Sequence, residues 1–177
     1  MKHVVLLRGI NLGAHRRVAM PELRELLSDA GFEDVRTYVQ SGNVVLESKL
    51  SSAKVAERCR ELISKRFGFE VPVVVRTRTE LAKVVSRDPL GDVAENPKRY
   101  QVSFLSERLD PKVVERLNEL AVESEGFVVD GRELYAWHPD GVARSKLWNE
   151  IAGPRLGVSA TARNWTTVMT LLEMAQN

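Results

Sequence analysis

Residues 35–46 read VRTYVQSGNVVL, and this stretch decides the fold. Apolar and polar residues alternate from Val35 to Gln40, which is the pattern of a half-buried strand. The run Ser41-Gly42-Asn43 supplies residues typical of turns, and residues 44–46 resume the strand pattern. The stretch therefore predicts an antiparallel β-hairpin.

A strand and a helix precede this hairpin, and a helix and a strand follow it. Upstream, the valine-rich residues 3–7 predict a buried strand, and residues 21–30 repeat apolar side chains at helical spacing. Downstream, residues 52–67 predict an amphipathic helix, and residues 71–75 predict another buried strand. The resulting order βαββαβ is the split βαβ, or ferredoxin-like, arrangement.

The second half of the chain repeats the order strand, helix, strand, strand. Residues 100–105 predict a strand, Asp110-Pro111 predicts a helix start, and residues 127–138 predict a second hairpin around Asp130-Gly131. Further helices are predicted near residues 146–152 and from about residue 164. We therefore expect an α+β fold of two ferredoxin-like units related by internal duplication, with extra C-terminal helices. The expected domains are a βαββαβ unit at 1–78 and a βαββ unit with terminal helices at 79–177.

The composition excludes several classes of protein. The chain has 177 residues, of which 44% are hydrophobic and 28% charged, as in globular domains of ordinary size. No apolar run approaches the roughly 20 residues of a membrane helix, and the N-terminus lacks a signal-peptide pattern. We therefore expect a cytoplasmic protein without membrane contact. The single cysteine, Cys59, falls on an apolar helix face and is expected to be an inert core residue.

The net charge of +2 is unevenly distributed along the chain. Residues 1–78 carry a net charge of +5, whereas residues 79–177 carry −3. Such an asymmetry has two interpretations: the halves attract one another, or the first half contains a local site for an anion. The sequence leaves both open.

The topology predicts where an anion site would lie. In a split βαβ unit, the loop after the first strand and the tip of the hairpin share one end of the sheet. That loop carries Arg8, Asn11, Arg16 and Arg17, and its glycines let backbone amides approach a ligand. We expect these residues and Ser41-Gly42-Asn43 to form a pocket for a phosphate or carboxylate. The alternative is that they only shape and solvate the loops, since neither GxxxxGK[ST] nor GxGxxG occurs.

Two further polar clusters lie at predicted helix starts. They are Arg144-Ser145-Lys146 and Thr161-Ala162-Arg163-Asn164-Trp165. Thr161 or Asn164 can cap a helix, whereas Arg163 beside Trp165 can hold an anion. Our leading hypothesis is that the basic loop, the hairpin tip and Arg163-Asn164 converge on one anionic ligand of phosphate or nucleotide type. Lys146 and Trp165 complete the predicted binding residues.

Three stretches resemble the signature motifs of a bacterial family called domain of unknown function 1697. They are residues 6–13 (LLRGINLG), 37–44 (TYVQSGNV) and 161–167 (TARNWTT). The resemblance implies an α+β fold of two related units in a small cytoplasmic bacterial protein, and it implies no established activity. By this resemblance, the candidate site residues are Arg8, Asn11, Ser41, Asn43, Arg163, Asn164 and Trp165.

The sequence offers few residues for catalysis. His3, His15 and His138 lie in separate elements without the spacing of metal ligands, so no metal or cofactor is predicted. Whether the protein is an enzyme stays open, with a phosphotransfer-like reaction through Arg and Asn side chains as the third option after ligand binding and protein interaction.

The positions of the aromatic residues indicate which larger partners the protein can bind. RNA-recognition modules stack bases on exposed aromatic side chains of the sheet, and residues 3–7 and 44–48 carry none, which argues against sequence-specific nucleic-acid binding. Tyr135 and Trp137 share one face of a strand and are expected to pack in a core. In the alternative function, a protein–protein interaction module, they would form an interface. The sequence sets no oligomeric state.

Overall fold

The chain folds into two compact units, each built on a sheet of its own. The computed structural model describes all residues, 1–177. The first unit comprises Met1–Lys83 and Thr170–Asn177, and the second comprises Val84–Met169. The fold is therefore a mixed α+β fold with two four-stranded antiparallel sheets and six helices.

The first unit has the order βαββαβ that the sequence predicts, followed by a further helix. In chain order they are β1 (Lys2–Leu7), α1 (Met20–Asp29), β2 (Glu33–Tyr38), β3 (Asn43–Glu47), α2 (Ser52–Phe67), β4 (Val73–Thr77) and α3 (Arg78–Arg87), whose last residues belong to the second unit.

The second unit has the same alternation. Its elements are β5 (Tyr100–Leu105), α4 (Pro111–Leu120), β6 (Gly126–Asp130), β7 (Glu133–Trp137), α5 (Lys146–Ile151), a 3-10 helix (Pro154–Leu156), β8 (Ala160–Asn164) and α6 (Trp165–Gln176), whose C-terminal part belongs to the first unit. No helix in the chain has the length and apolar character needed to cross a lipid bilayer.

The strand order of the first sheet, β2-β3-β1-β4, positions the loops at its ends. Central β1 pairs with β3 and β4, so that Val5 lies opposite Val44 on one side and Val75 on the other. Both β1 and β2 are antiparallel to β3 and hence parallel to each other. The loop after β1 and the β2–β3 turn therefore share one end of the sheet.

Apolar side chains from this sheet pack against α1 and α2 to form the core of the first unit. The amphipathic helix predicted at residues 52–67 buries Val55, Cys59 and Ile63, and Leu62 and Phe67 of the same apolar face are partly buried against the core. Burial raises the pKa of the Cys59 thiol to about 12, so the reactive thiolate is disfavoured at neutral pH. The cysteine therefore acts as a small apolar core residue.

The second sheet has the order β6-β7-β5-β8, again with the first strand of the unit at a central position. Val102 of β5 lies opposite Tyr135 of β7 and Arg163 of β8. Tyr135 is only 1% exposed, and its hydroxyl donates to the Val84 carbonyl at 3.1 Å. The expectation that Tyr135 is a core residue is confirmed, and its use in an exposed interface is excluded.

Strand β8 corrects the prediction for the last quarter of the chain. We expected Thr161 to Trp165 at a helix start, but Ala160–Asn164 pairs along β5 and the helix begins only at Trp165. The short segment ATARN has weak strand propensity, because its apolar positions are alanines. Pairing with the preformed edge of β5 decides its conformation, and the second unit gains the strand that completes the order βαββαβ.

Local signals placed the helix ends correctly. The Ser51 hydroxyl accepts from the Lys54 amide at 3.4 Å at the start of α2, and the Asp110 carboxylate accepts from the Lys112 amide at 2.8 Å at the start of α4. Gly68 ends α2 in the left-handed conformation with φ of 81°.

Candidate functional site

The loop after β1 and the β2–β3 turn are joined by hydrogen bonds, as the strand order predicts. The Leu7 amide donates to the Gly42 carbonyl at 2.8 Å, and the Asn11 side-chain amide donates to the Gln40 carbonyl at 2.7 Å. Gly42 has φ of 86°, and a Cβ at this position would lie 2.6 Å from the Leu7 Cβ. Only glycine allows this close approach of the turn to β1.

Asn11 shapes the loop itself. Its Nδ2 donates to the carbonyls of Val18 (2.9 Å) and Gln40, and its Oδ1 accepts from the Val18 amide at 2.9 Å. The residue has φ of 55°, a conformation that asparagine tolerates better than most residues. Both polar atoms of the side chain are thus used to close the loop and attach it to the turn.

Arg16 likewise binds the protein's own backbone. Its Nε donates to the Gly9 carbonyl at 3.0 Å and its Nη2 to the Glu70 carbonyl at 2.5 Å. The guanidinium also lies 5.0 Å from the centre of the Phe69 ring, within the range of a cation–π contact. This arginine ties the β1 loop to the segment before β4.

The remaining residues of this end differ in exposure. Asn43 is buried, and its Nδ2 donates to the Tyr38 carbonyl (3.1 Å) and the Ser41 hydroxyl (3.0 Å). Arg8 is half-buried, whereas Ser41 and Arg17 are exposed. Both Arg16 and Arg17 are exposed, and the guanidinium of Arg16 is already bound to backbone carbonyls.

In the second unit, the predicted residues of the 163–165 cluster are built into the sheet and the start of α6. Arg163 is buried, and its Nη1 donates to the Thr161 hydroxyl and the Ala162 carbonyl, both at 2.8 Å. Burial lowers the pKa of this guanidinium to about 10. Trp165 stacks on the Tyr100 ring with a centroid distance of 4.7 Å and an interplanar angle of 17°.

The capping interpretation is confirmed for Asn164. Its Oδ1 accepts from the Thr167 amide at 2.9 Å, which satisfies one of the free amides at the start of α6. Thr161 is not the cap, because it lies inside β8.

Lys146 lines a cavity of about 580 Å³ within the second unit. Small-molecule sites fall in the range of roughly 300–1,000 Å³. The cavity contains both cations of the Arg144-Ser145-Lys146 cluster. Its lining residues are Val122, Glu125, Asp140, Gly141, Ala143, Arg144, Ser145 and Lys146.

A buried polar cluster forms one wall of this cavity. The Ser145 hydroxyl donates to Glu125 Oε2 at 2.5 Å, and His138 Nδ1 lies 2.5 Å from the same oxygen. The side chains of His138 and Glu125 are 0% and 6% exposed. Ser145 also caps α5, since its oxygen accepts from the Trp148 amide at 3.0 Å.

The carboxylate of Glu125 is stabilised in its charged form. Burial raises the pKa of Glu125, but hydrogen bonds from Ser145 and His138 outweigh burial and hold this pKa below its ordinary value. The charge is thus directed at protein donors rather than at the cavity. Arg144 and Lys146 are exposed at the cavity lining and carry its positive charge.

The cluster does not have the geometry of a Ser-His-acid triad. In a triad, the serine contacts one imidazole nitrogen and the acid contacts the other. Here Ser145 and His138 Nδ1 share one oxygen of Glu125, and His138 Nε2 is buried without a hydrogen-bond partner. The hydrogen bonds of Ser145 with Glu125 and with the Trp148 amide orient its hydroxyl at the cavity wall.

Sequence reasoning missed Glu125 and His138. They follow α4 and β7, respectively, and their partner Ser145 lies at the start of α5, so no short motif joins them. The Arg144-Ser145-Lys146 run was the only signal that pointed to this region. No group of three or more His, Cys, Asp or Glu side chains in the chain is placed to hold a metal ion.

The fold is that of a two-unit α+β protein with a cavity of about 580 Å³ in its second unit. The family described as "Protein of unknown function (DUF1697)" matches residues 1–135, and the chain belongs to this family, as its motifs indicated. The third motif, at 161–167, lies beyond the matched residues.

A solved structure shows the same fold. A conserved bacterial protein from Streptococcus pneumoniae superposes with a TM-score of 0.81 at 22% sequence identity, and the match covers 98% of each chain. At this identity the similarity concerns the fold alone. No curated protein matches the sequence.

Proposed function

We propose that this protein binds a small anionic molecule in the cavity of the second unit, with Arg144 and Lys146 as its charge partners. The observation that carries the proposal is a cavity of ligand size that is lined by two cations, Arg144 and Lys146, which are the sequence neighbours of the buried Ser145. Few pockets in a protein combine this size with convergent polar groups.

The chemistry of the lining supports an anion. Arg144 offers a planar fork of donors and Lys146 a compact ammonium, and both bind phosphate or carboxylate oxygens. The charge of Glu125 is engaged by Ser145 and His138, which leaves Asp140 as the exposed carboxylate of the lining. Val122 and Ala143 supply apolar surface for the body of the ligand.

The predicted residues of the first unit form a separate part of the proposal. Arg8 and Arg17, with the backbone shaped by Asn11, Arg16 and Ser41-Gly42-Asn43, would offer a second contact for an anion. In that unit, the pinning of Asn11 and Arg16 to carbonyl groups leaves Arg17 as the group best placed for it.

The equivalent strand orders of the two sheets support a further part of the proposal. We propose that two ferredoxin-like units, assigned from sequence to 1–78 and 79–177, arose by duplication. Both units have the order βαββαβ with their first strand at a central position.

Thermal unfolding in the presence of anions tests the binding proposal. The probes are inorganic phosphate, nucleoside mono- and triphosphates, sugar phosphates and dicarboxylates, added to the full chain. A ligand present at 100 times its Kd adds about 2.7 kcal/mol of stability, which corresponds to a rise in Tm of several degrees. We expect at least one probe to give such a shift.

Variants locate the site. The double variant Arg144→Ala/Lys146→Ala should lose the shift, whereas Lys112→Ala, which removes a cation outside the cavity lining, should retain it. Loss of the shift in Arg17→Ala alone would move the site to the first unit. If no anion shifts the wild type, or if all variants respond as the wild type does, the proposal is wrong.

A further inference from the structure

Two exposed apolar side chains flank one hydrogen bond at the loop end of the first unit. Leu12 is 78% exposed and follows Asn11, while Val39 is 52% exposed and precedes Gln40. The Asn11 side chain donates to the Gln40 carbonyl at 2.7 Å, so Leu12 and Val39 lie on neighbouring segments at the same end of the sheet. We define the loop-end surface as Leu12, His15, Arg17 and Val39.

Val39 occupies a conformation that its side chain does not favour. Its φ is 50°, and a β-branched residue in the left-handed region is a true outlier. Asparagine or glycine would close this turn with less strain. Burial does not explain the valine either, since the side chain faces solvent. A strained and exposed valine is the kind of residue that function retains.

The backbone that presents these residues is rigidly held. Asn11 closes the loop with three hydrogen bonds, and Arg16 attaches it to the carbonyls of Gly9 and Glu70. The surface is therefore ordered before any partner arrives, which lowers the entropy lost on binding.

The charge of the loop-end surface has one sign. Residues 1–21 and 35–46 contain no Asp or Glu, while the loop carries Arg8, His15, Arg16 and Arg17. The acidic residue of the third segment at this end, Glu70, accepts a hydrogen bond from the Ser64 hydroxyl at 2.8 Å. The surface thus combines the exposed apolar side chains of Leu12 and Val39 with the exposed cation Arg17.

We propose that the loop-end surface docks an acidic protein segment whose apolar side chain seats against Leu12 and Val39. Charge complementarity selects the sign of the partner, and the exposed leucine and valine supply the apolar contact. A second copy docked by the same surface would bring Arg17 against Arg17. Single-stranded nucleic acid is the poorer fit, because neither loop presents an exposed Phe, Tyr or Trp ring for stacking.

Selection of displayed 12-residue peptides on the full chain tests this proposal. We expect the enriched peptides to carry several Asp or Glu residues around at least one large apolar residue. A peptide synthesised from that set should bind in a fluorescence anisotropy titration. No enrichment, or enrichment without an acidic bias, would overturn the proposal.

Single variants separate docking from folding. Leu12→Ser and Val39→Asn should each lower the affinity for the peptide by about fivefold or more. Arg17→Ala should lower this affinity and also reduce its dependence on salt concentration. Val39→Asn suits the left-handed conformation, so its Tm should not fall. Val93→Ser, at a position of similar exposure (53%) in the second unit, is the matched control and should bind as wild type does.

Two other results would assign the surface to a different occupant and refute the proposal. One is that an oligonucleotide with the same net charge as the peptide binds more tightly than the peptide does, and that its binding is abolished by Arg17→Ala but not by Leu12→Ser. The other is a dimer, seen by light scattering, that Leu12→Ser dissociates. Neither outcome depends on the anion site of the second unit.

Discussion

Replacing Gly42 by alanine should destabilise the protein more than any other change at a glycine of similar conformation. Gly42 has φ of 86°, and an alanine Cβ would lie 2.6 Å from Leu7 Cβ and 2.9 Å from Ile10 Cδ1. The left-handed conformation costs about 1–2 kcal/mol for a residue with a Cβ. Forcing a methyl group against a packed core adds about 1–3 kcal/mol. We expect a total loss of about 2–5 kcal/mol in the free energy of unfolding.

Gly68→Ala is the control that isolates the steric part. Gly68 has φ of 81°, and a Cβ there would meet no atom within 4 Å. The variant Gly68→Ala should therefore lower the free energy of unfolding only by the conformational cost of about 1–2 kcal/mol. The gain from restricting the unfolded chain is the same for both substitutions and cancels in the comparison.

Urea unfolding followed by far-UV circular dichroism measures this difference. All three tryptophans, Trp137, Trp148 and Trp165, lie in the second unit, so tryptophan fluorescence would not report on the first. With a slope of about 2 kcal/mol per molar urea, the midpoint of Gly42→Ala should lie roughly 0.5–1.5 M below that of Gly68→Ala. Equal midpoints would refute the argument that contact between the turn and β1 orders the loop end.

Two further predictions concern polar side chains. Asn11→Ala removes three hydrogen bonds and leaves backbone groups of the loop unsatisfied, so urea unfolding should show a loss of about 1–3 kcal/mol; a change below 0.5 kcal/mol would contradict the loop-closing role. Hydrogen bonds from Ser145 and His138 hold the pKa of Glu125 below its ordinary value, so its carboxylate stabilises the fold at neutral pH, and this contribution disappears as the pH falls through the folded-state pKa. The difference in the free energy of unfolding between wild type and Glu125→Gln should accordingly shrink between pH 7 and pH 3. A difference independent of pH would contradict a stabilising role of the charged carboxylate.

Local patterns predicted most of the fold because the elements obey short-range rules. The alternation from Val35 to Gln40 predicts a strand, and the structure ends that strand at Tyr38 and uses the next residues for the turn. The helix start at Asp110-Pro111 depends on neighbours only a few residues away and is confirmed. The family could be assigned for the same reason, since its motifs are contiguous stretches of chain.

The candidate site was predictable only in part. Arg16 and Asn11 were expected to face a ligand, but they bind carbonyl groups of Glu70 and Gln40, which lie 54 and 29 residues away along the chain. A polar residue in a loop has the same sequence signature whether it binds a ligand or the protein's own backbone. Only the folded positions of those carbonyls distinguish the two roles.

The sequence by itself determined the family and the order of strands and helices apart from β8, because propensity, periodicity and turn chemistry act within a few residues. The tertiary structure decided that residues 160–164 form a strand, because their alanines have little strand preference until β5 offers its edge. It also brought Glu125, His138 and Ser145 together beside a cavity, because hydrogen bonds between separate elements form only after those elements have packed.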